Sequence, residues 1–252
     1  MSDPRIYGHP PYRVALLHGG PGAAGEMAPV AKALAPFMGV LEPLQTKSSV
    51  KGQVEELKEL LEGKGALTLV GYSWGAWLAV LFASEYPELV KKLILVSSGP
   101  FEEKYAKAIT ENRLDRLGKD DRKAAVTLMS RLEEPGAFEK FGKLMTKADS
   151  FDPLKVKSAE LEFNAEIFEK VWKEASELRR SGMLLESVKK LRCPVVAIHG
   201  DHDPHPAEGV RIPLSTVLTD FRFHLLNKCG HTPWKEKQAW NKFYEIMKKE
   251  LE

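Results

Sequence analysis

Cysteine is scarce, with two residues in 252. Two thiols do not make a disulfide framework. Cys193 precedes Pro194 at the head of an expected strand, and Cys229 lies beyond the tail of the next. In a parallel sheet those places fall at opposite ends, about 20 Å apart for a six-residue strand. A bridge needs Cα atoms within about 7 Å. Both thiols are therefore expected to be free, and a reducing cytoplasm is the simplest compartment. No apolar run approaches the ~18 residues of a membrane span, so no membrane partner is expected. The opening MSDPRIYGHPPYR lacks the apolar stretch of a secretory signal. An excess of one charge is missing too. Lys and Arg number 37 against 35 Asp and Glu, a formal net charge of +2, which excludes the strong field of a nucleic-acid binder. The lysines of Met247-Lys248-Lys249-Glu250 sit beside acid and read as a solvated helix face. No internal repeat or low-complexity tract is present.

What is there is a globular composition. Apolar residues make up 43% and charged residues 29%, proportions that exclude disorder. The length suits one compact domain carrying an insertion. Short Val/Ile/Leu-rich runs at Arg13–His18, Gly39–Leu44, Leu67–Gly71, Lys92–Ser97, Pro194–His199 and Phe221–Leu226 read as strands buried on both faces. Helical patterns separate them, at about Glu26–Phe37, Val50–Glu62, Trp74–Glu85, Glu208–Thr219 and Lys235–Glu250. This alternation predicts an α/β fold, a doubly wound and mostly parallel sheet of about six strands. From Gly99 to about Arg180 no good strand occurs, and Glu, Lys, Leu and Ala dominate. The expected organisation is a core of residues 1–98 and 181–252 with a helical insertion at 99–180. That insertion leaves the carboxyl end of a strand, the side on which α/β sheets bind ligands, and so reads as a cap.

Gly71-Tyr72-Ser73-Trp74-Gly75 follows a strand and opens a helix. The pattern G-x-S-x-G in that context places a serine on a sharp turn with its hydroxyl exposed. Flanking glycines leave room for the turn, and the helix N-terminus favours developing negative charge. Ser73 is the expected nucleophile. The loop His18-Gly19-Gly20-Pro21-Gly22 after the first strand lets backbone amides approach a substrate oxygen. Gly20 and Trp74 are the expected oxyanion donors, since Pro21 has no N–H. His18 reads as a structural residue that shapes the loop.

Asp201 and Asp203 both follow the strand PVVAIH. Asp203 lies further into the loop and is the expected acid. Asp201, directly after Gly200, reads as a turn-holding residue. Three His and two Asp between His199 and His205 also suggest a metal site. No HExxH or comparable ligand order accompanies them, so no metal and no cofactor are expected. Cys229-Gly230-His231 follows the last strand, and the glycine permits a turn that projects His231 toward Ser73. His9, His202, His205 and His224 lack such a context. Trp77 and the other tryptophans read as core or cap contacts. The order Ser73, Asp203, His231 predicts two-step acyl transfer.

HGGPG, GYSWG, GDHD and GHTPW, in this order, resemble the α/β-hydrolase superfamily, over nearly all of the chain outside the insertion. HGGPG with a Ser-Trp elbow is most similar to the proline iminopeptidase branch, which also holds simple esterases. The resemblance implies the same assignments: nucleophile Ser73, acid Asp203, base His231, and oxyanion donors Gly20 and Trp74. A serine nucleophile excludes the branches that attack with aspartate. Only about twelve residues precede the first strand, so the antiparallel N-terminal hairpin common in the fold is expected to be missing. The insertion is short for a proline iminopeptidase. Its acids, such as Glu102, Glu103, Glu160, Glu162 and Glu166, fall at helical spacing as solvated faces do. A small-molecule carboxylic ester is therefore the leading substrate class. A short peptide, cleaved by an aminopeptidase, is the second. A non-catalytic small-molecule receptor on the same fold is the alternative outside enzymes.

Overall fold

The computed structural model describes residues 3–155 and 162–252, with no account of the Glu162 side chain. Along them the strands are β1 (Arg5–Tyr7), β2 (Tyr12–Leu17), β3 (Ala23–Ala24), β4 (Gly39–Glu42), β5 (Leu67–Tyr72), β6 (Val90–Val96), β7 (Glu162–Phe163), β8 (Val195–Gly200) and β9 (Phe221–Leu226). The core helices are α1 (Ala28–Leu34), α2 (Val50–Leu61) and α3 (Trp74–Glu85). Between β6 and β8 come α4 (Glu103–Ala106), α5 (Ile109–Asp115), α6 (Lys119–Met129), α7 (Ala137–Ala148), α8 (Ala165–Arg180) and α9 (Met183–Val188). The chain closes with α10 (Glu208–Val217) and α11 (Trp240–Leu251).

Seven strands form the main sheet, in the order β1-β4-β2-β5-β6-β8-β9. All pairings are parallel except β1 with β4. Every residue of β5 and β8 is buried, as a sheet covered on both faces requires. Alternate residues feed two cores. Leu17, Leu69, Leu95 and Ala197 pack with α2, α3 and α10 on one face. Leu16, Val70, Ile94 and Ile198 pack with α1 and α11 on the other. Helix α3 is apolar all round and buries ten residues. Such a helix belongs inside a protein, and this one starts at the carboxyl end of β5 in the middle of the sheet.

All six expected strands are present, and α3 spans the expected residues. Several expectations need correction. Among the described residues β1 forms no hairpin with β2, but it is an antiparallel edge strand: it pairs with β4, Arg5 opposite Glu42. Three residues carry too little periodicity to be read, and the Tyr7 hydroxyl fixes this edge by donating to Glu42 at 2.7 Å. The 99–180 stretch does contain a strand, because β7 pairs with β3. Helix α9 has no counterpart among the expected helices. Helix α11 starts at Trp240, since Pro233–Lys235 forms a separate 3-10 turn. Its last turn is not a solvated face throughout. Glu250 is buried, with Lys92 at 3.4 Å and Arg222 at 2.8 Å. Cys193 and Cys229 are free. Among the described residues no helix is long and apolar enough to cross a membrane.

Candidate active site

The parallel strands deliver their carboxyl ends to one edge of the sheet, and the loops that leave them meet there. The turn between β5 and α3 holds Ser73 at φ 52° and ψ −112°. A residue with a side chain pays strain in that region. The turn is retained because its surroundings fix it: the Ser73 amide donates to the Val96 carbonyl at 2.9 Å. A Cβ on Gly75 would run into the carbonyls of Leu17 and His18, and one on Gly71 into the backbone of Gly75. Both glycines are thus required by close approach.

His231 stands opposite. Its Nε2 lies 3.2 Å from Ser73 Oγ, and its Nδ1 lies 2.8 Å from Asp203 Oδ2. A carboxylate only accepts, so Nδ1 carries the proton and Nε2 offers its lone pair to the serine hydroxyl. Burial pulls the His231 pKa down, but the charge and hydrogen bond of Asp203 outweigh it and leave the pKa raised. Asp203 is itself buried, which pushes its carboxyl up. The surrounding histidines, His231 first, reverse this and hold it well below the usual carboxylate range. The structure thus brings Ser73, His231 and Asp203 into one hydrogen-bonded line. Asp201 is outside it, and its Oδ1 accepts from the Cys229 amide at 3.1 Å, so it ties its loop to the one that carries His231 and not its own turn.

Gly20 and Trp74 line the same cavity as Ser73 and His231, a space of about 740 Å³. Trp74 opens α3, so its N–H has no carbonyl one turn back to receive it. His18 is fully buried just below the loop. Burial pushes it down to about 4, partly offset by the adjoining backbone of Gly20 and Gly19. It is a neutral packing residue and does not line the cavity.

Several residues at the site have no signal in the sequence reading. Arg113 on α5 lines the cavity and grips Asp149 with two bonds of 2.7 and 2.8 Å. The Asp149 carbonyl receives the His231 amide at 2.7 Å. The buried Glu236 carboxylate accepts from the amides of Phe151, Asp152 and Gly230, at 2.9, 2.8 and 3.1 Å. A Cβ on Gly230 would strike the Asp149 carbonyl. The His231 loop is therefore bolted to the segment that follows α7. Glu26 also lines the cavity, and its carboxylate accepts from the Gly19 amide at 3.1 Å. Burial raises its pKa, against the pull of Lys235 and His231.

Of the insertion acids named from the sequence, Glu102, Glu103 and Glu166 do not line the cavity. Glu166 is exposed and pairs with Lys170. Glu102 pairs with Lys104, and Glu103 with Arg179. Glu160 falls outside the described residues, as does the side chain of Glu162. Two acids of the helical segment are among those that line the cavity, Glu139, paired with Lys143 at 2.6 Å, and Asp149, held by Arg113. His205, which lacked a context like that of His231 in the sequence, is buried beside Asp203 and His231 and lines the cavity. Ligating atoms of Asp203, His205 and His231 lie within 4.8 Å of one another. Both Asp203 oxygens are already taken by histidine N–H groups.

A family model described as alpha/beta hydrolase fold matches residues 46–237, most of the chain. The chain belongs to that family. Among solved structures it is similar to VinJ, with a TM-score of 0.75 and 19% identity, covering 98% of this chain and 93% of that one. It is similar to a proline iminopeptidase from Mycobacterium smegmatis, with a TM-score of 0.65 and 17% identity over 98% and 93% of the two chains. It is also similar to a thioesterase domain from the curacin biosynthetic pathway, with a TM-score of 0.63 and 19% identity over 97% and 93%. At such identities the likeness is one of fold. A curated relative, a cis-3-alkyl-4-alkyloxetan-2-one decarboxylase from Shewanella oneidensis, is 32% identical over 56 residues. That match spans 21% of this chain and 18% of the relative.

Proposed function

We propose that this protein is a serine hydrolase that cleaves a small-molecule carboxylic ester through an acyl-enzyme on Ser73. One observation carries the reading: the unbroken line from Ser73 Oγ through His231 to Asp203, at 3.2 and 2.8 Å. His231 takes the hydroxyl proton as Ser73 attacks the carbonyl carbon, and Asp203 stabilises the imidazolium. The amides of Gly20 and Trp74 receive the oxyanion. His231 returns the proton to the departing alcohol, then activates the water that frees the acid. No step calls on a cofactor or metal.

The helices between 99 and 180 act as the cap in this reading. Phe168 and Trp172 of α8 line the cavity, and the Phe168 ring stands 4.0 Å from where a side chain on Gly20 would be. They give the substrate an apolar wall beside the oxyanion loop. The aminopeptidase reading has one observation in its favour, the acids Glu26 and Glu139 in the cavity. Glu139 is already paired with Lys143, and Glu26 is held by Gly19 with Lys235 nearby. Ester cleavage is therefore preferred.

The test pairs labelling of Ser73 by a fluorophosphonate with hydrolysis of p-nitrophenyl butyrate and proline p-nitroanilide. Ester turnover well above anilide turnover, with label on Ser73, is the expected result. Labelling without turnover of any ester or anilide would favour a receptor. Efficient anilide turnover, lost on Glu139→Gln or Glu26→Gln while ester turnover survives, would establish the aminopeptidase.

A further inference from the structure

Asp203 has two carboxylate oxygens, and a triad occupies one. The other faces His205. Its Oδ1 accepts from the His205 amide at 2.9 Å and from His205 Nδ1 at 2.8 Å. Since the carboxylate can only accept, His205 Nδ1 carries the proton. The next contact outward is His199, whose Nε2 donates to the His205 carbonyl at 2.8 Å and stands 3.5 Å from Asp203 Oδ2. The rings of His205 and His231 lie against each other at a tilt, 4.5 Å between centroids and 33° between planes. Two imidazoles thus hang from one carboxylate, and only one of them reaches Ser73.

We infer that His205 is a second positioning residue of the triad, whose Nδ1–H locks the Asp203 carboxylate in the plane that His231 needs and draws off part of its charge. The inference rests on the serine-hydrolase reading. Its physical basis is the number of donors. A carboxylate that accepts three N–H bonds cannot rotate about its Cβ–Cγ bond without breaking at least one, and bonds to a charged acceptor are the strong ones. Burial pushes the His205 pKa down to about 4, so the ring is neutral at pH 7. A neutral ring can lie against His231 without repelling the imidazolium that forms there during the reaction. Sharing charge at Oδ1 also moderates the pull of Asp203 on the His231 proton.

The pH profile reads this directly, because His231 must be neutral to act as a base. Besides His205 itself, the charged and titratable groups facing His231 include Asp203, Asp149, Arg113 and Glu26. Tyr72 adds its ring at 5.1 Å. Those around His205 are Asp203, His231, Arg113 and His199. Arg116 adds a bond to the Asp203 carbonyl at 3.3 Å. The substitutions below leave all of these in place.

The experiment measures kcat/KM for p-nitrophenyl butyrate from pH 5 to 9, with wild type and His205→Leu, His205→Asn and His205→Gln. Leu fills the space and offers no donor. Asn places an N–H near the position of Nδ1, whereas Gln places one near Nε2. His205→Leu is expected to lose about tenfold or more, a loss of the order set by one charge-assisted hydrogen bond. Its acid limb should move to higher pH, because an unshared carboxylate holds the His231 proton more tightly. Asn should recover most of the loss, and Gln less. A space-filling role predicts the opposite, with an unmoved limb and Asn no better than Gln, and that result would overturn the inference. Should the Leu variant fail to fold, the Asn and Gln pair decides by itself. A wild type that neither turns over the ester nor labels at Ser73 overturns the hydrolase reading and this inference together. Reactive wild type with an unimpaired Leu variant overturns this inference alone.

Discussion

The cavity has two walls of different construction. The sheet-side wall presents Ser73, Asp203 and His231 from loops rooted in β5, β8 and β9. These loops are held by main-chain bonds, such as Ser73 N to Val96 O and Asp201 N to Leu226 O, both 2.9 Å. The helical wall presents Arg113, Glu139, Phe168 and Trp172. Its attachments are side-chain ion pairs and stacked rings, including Trp172 against Trp77 at 5.8 Å and 4°. Several stitches join the walls, among them the bond from Arg116 to the His202 carbonyl at 2.6 Å and two broader junctions. One is β3 with β7, extended by the Asn164 amide bonding to the Gly22 carbonyl at 2.9 Å. The other is the junction of Asp149, His231 and Glu236. On the proposed hydrolase reading, the difference separates chemistry from selectivity. Reacting groups need positions good to fractions of an ångström, which a hydrogen-bonded sheet edge supplies. A substrate-shaped wall needs variability, which helices outside the sheet allow.

The largest effect is expected on the sheet-side wall. Ser73→Ala should leave the melting temperature near wild type and lower kcat by about 10⁵-fold, because the covalent route is gone. Ester hydrolysis within tenfold of wild type would remove Ser73 from the chemistry. Next comes Asp203→Asn, expected to cost about 10³- to 10⁴-fold in kcat through the wrong imidazole tautomer. Asp201→Asn sharpens the contrast within one loop. It should lower stability by about 1 kcal/mol, the worth of one main-chain anchoring bond, with kcat nearly kept. An Asp201 variant that is inactive at unchanged melting temperature would reverse the two roles.

The pH profile follows. The raised His231 pKa belongs to the sheet-side wall, and its direction sets the sign. The protonated imidazole cannot accept the serine proton, so kcat/KM should fall about tenfold per pH unit below that pKa. The limb should lie above 6.5, the ordinary histidine value. A limb below 6.5 would mean that burial outweighs Asp203. Across the cavity, Arg113→Met tests the junction between the walls. Asp149 would lose a bidentate partner while only 15% of its side chain is exposed. Stability should drop by about 1–3 kcal/mol. The loss in kcat should be a few-fold, through the Asp149 bond to the His231 amide, and thermal melting with ester kinetics checks both.

The two walls also differ in how far the sequence discloses them. The strands were legible because parallel strands buried on both faces are uninterrupted apolar runs. The elbow was legible because Gly71 and Gly75 answer a collision that any such turn must avoid. Asp203 was separable from Asp201 by its place in the loop alone. His205 was passed over because its role depends on the turn at Pro204, which folds residue 205 back onto residue 203. The spacing Asp-Pro-His was the visible trace. Phe168 and Trp172 stand four residues apart on α8, a spacing that puts both on one helix face. The pattern marks a shared face but not what that face covers. Glu236 and Asp149 left no trace, since Glu236 reaches amides 85 and 84 residues away and Asp149 meets His231 through a main-chain carbonyl that every residue has. β1 and β7 were too short for periodicity to register.

The smallest expected effect comes from chelation, and it tests whether the sheet-side wall is complete in itself. Asp203, His205 and His231 are close enough to suggest a metal. Their hydrogen bonds argue otherwise. His231 Nδ1 and His205 Nδ1 both donate to Asp203, at 2.8 Å each, so neither nitrogen has a lone pair to give. The Nε2 of His231 is directed at Ser73 Oγ. A divalent ion among these atoms would have to displace the protons that hold the triad in line, and His231 could then no longer act as the base. Excess EDTA should therefore leave ester kcat/KM unchanged within experimental scatter, over the same pH range as the untreated protein. Added zinc should inhibit if it acts at all, by capturing the imidazoles. Loss of activity on chelation with recovery on zinc would break the comparison at its root, since the rigid wall would then owe its geometry to an ion and not to the sheet.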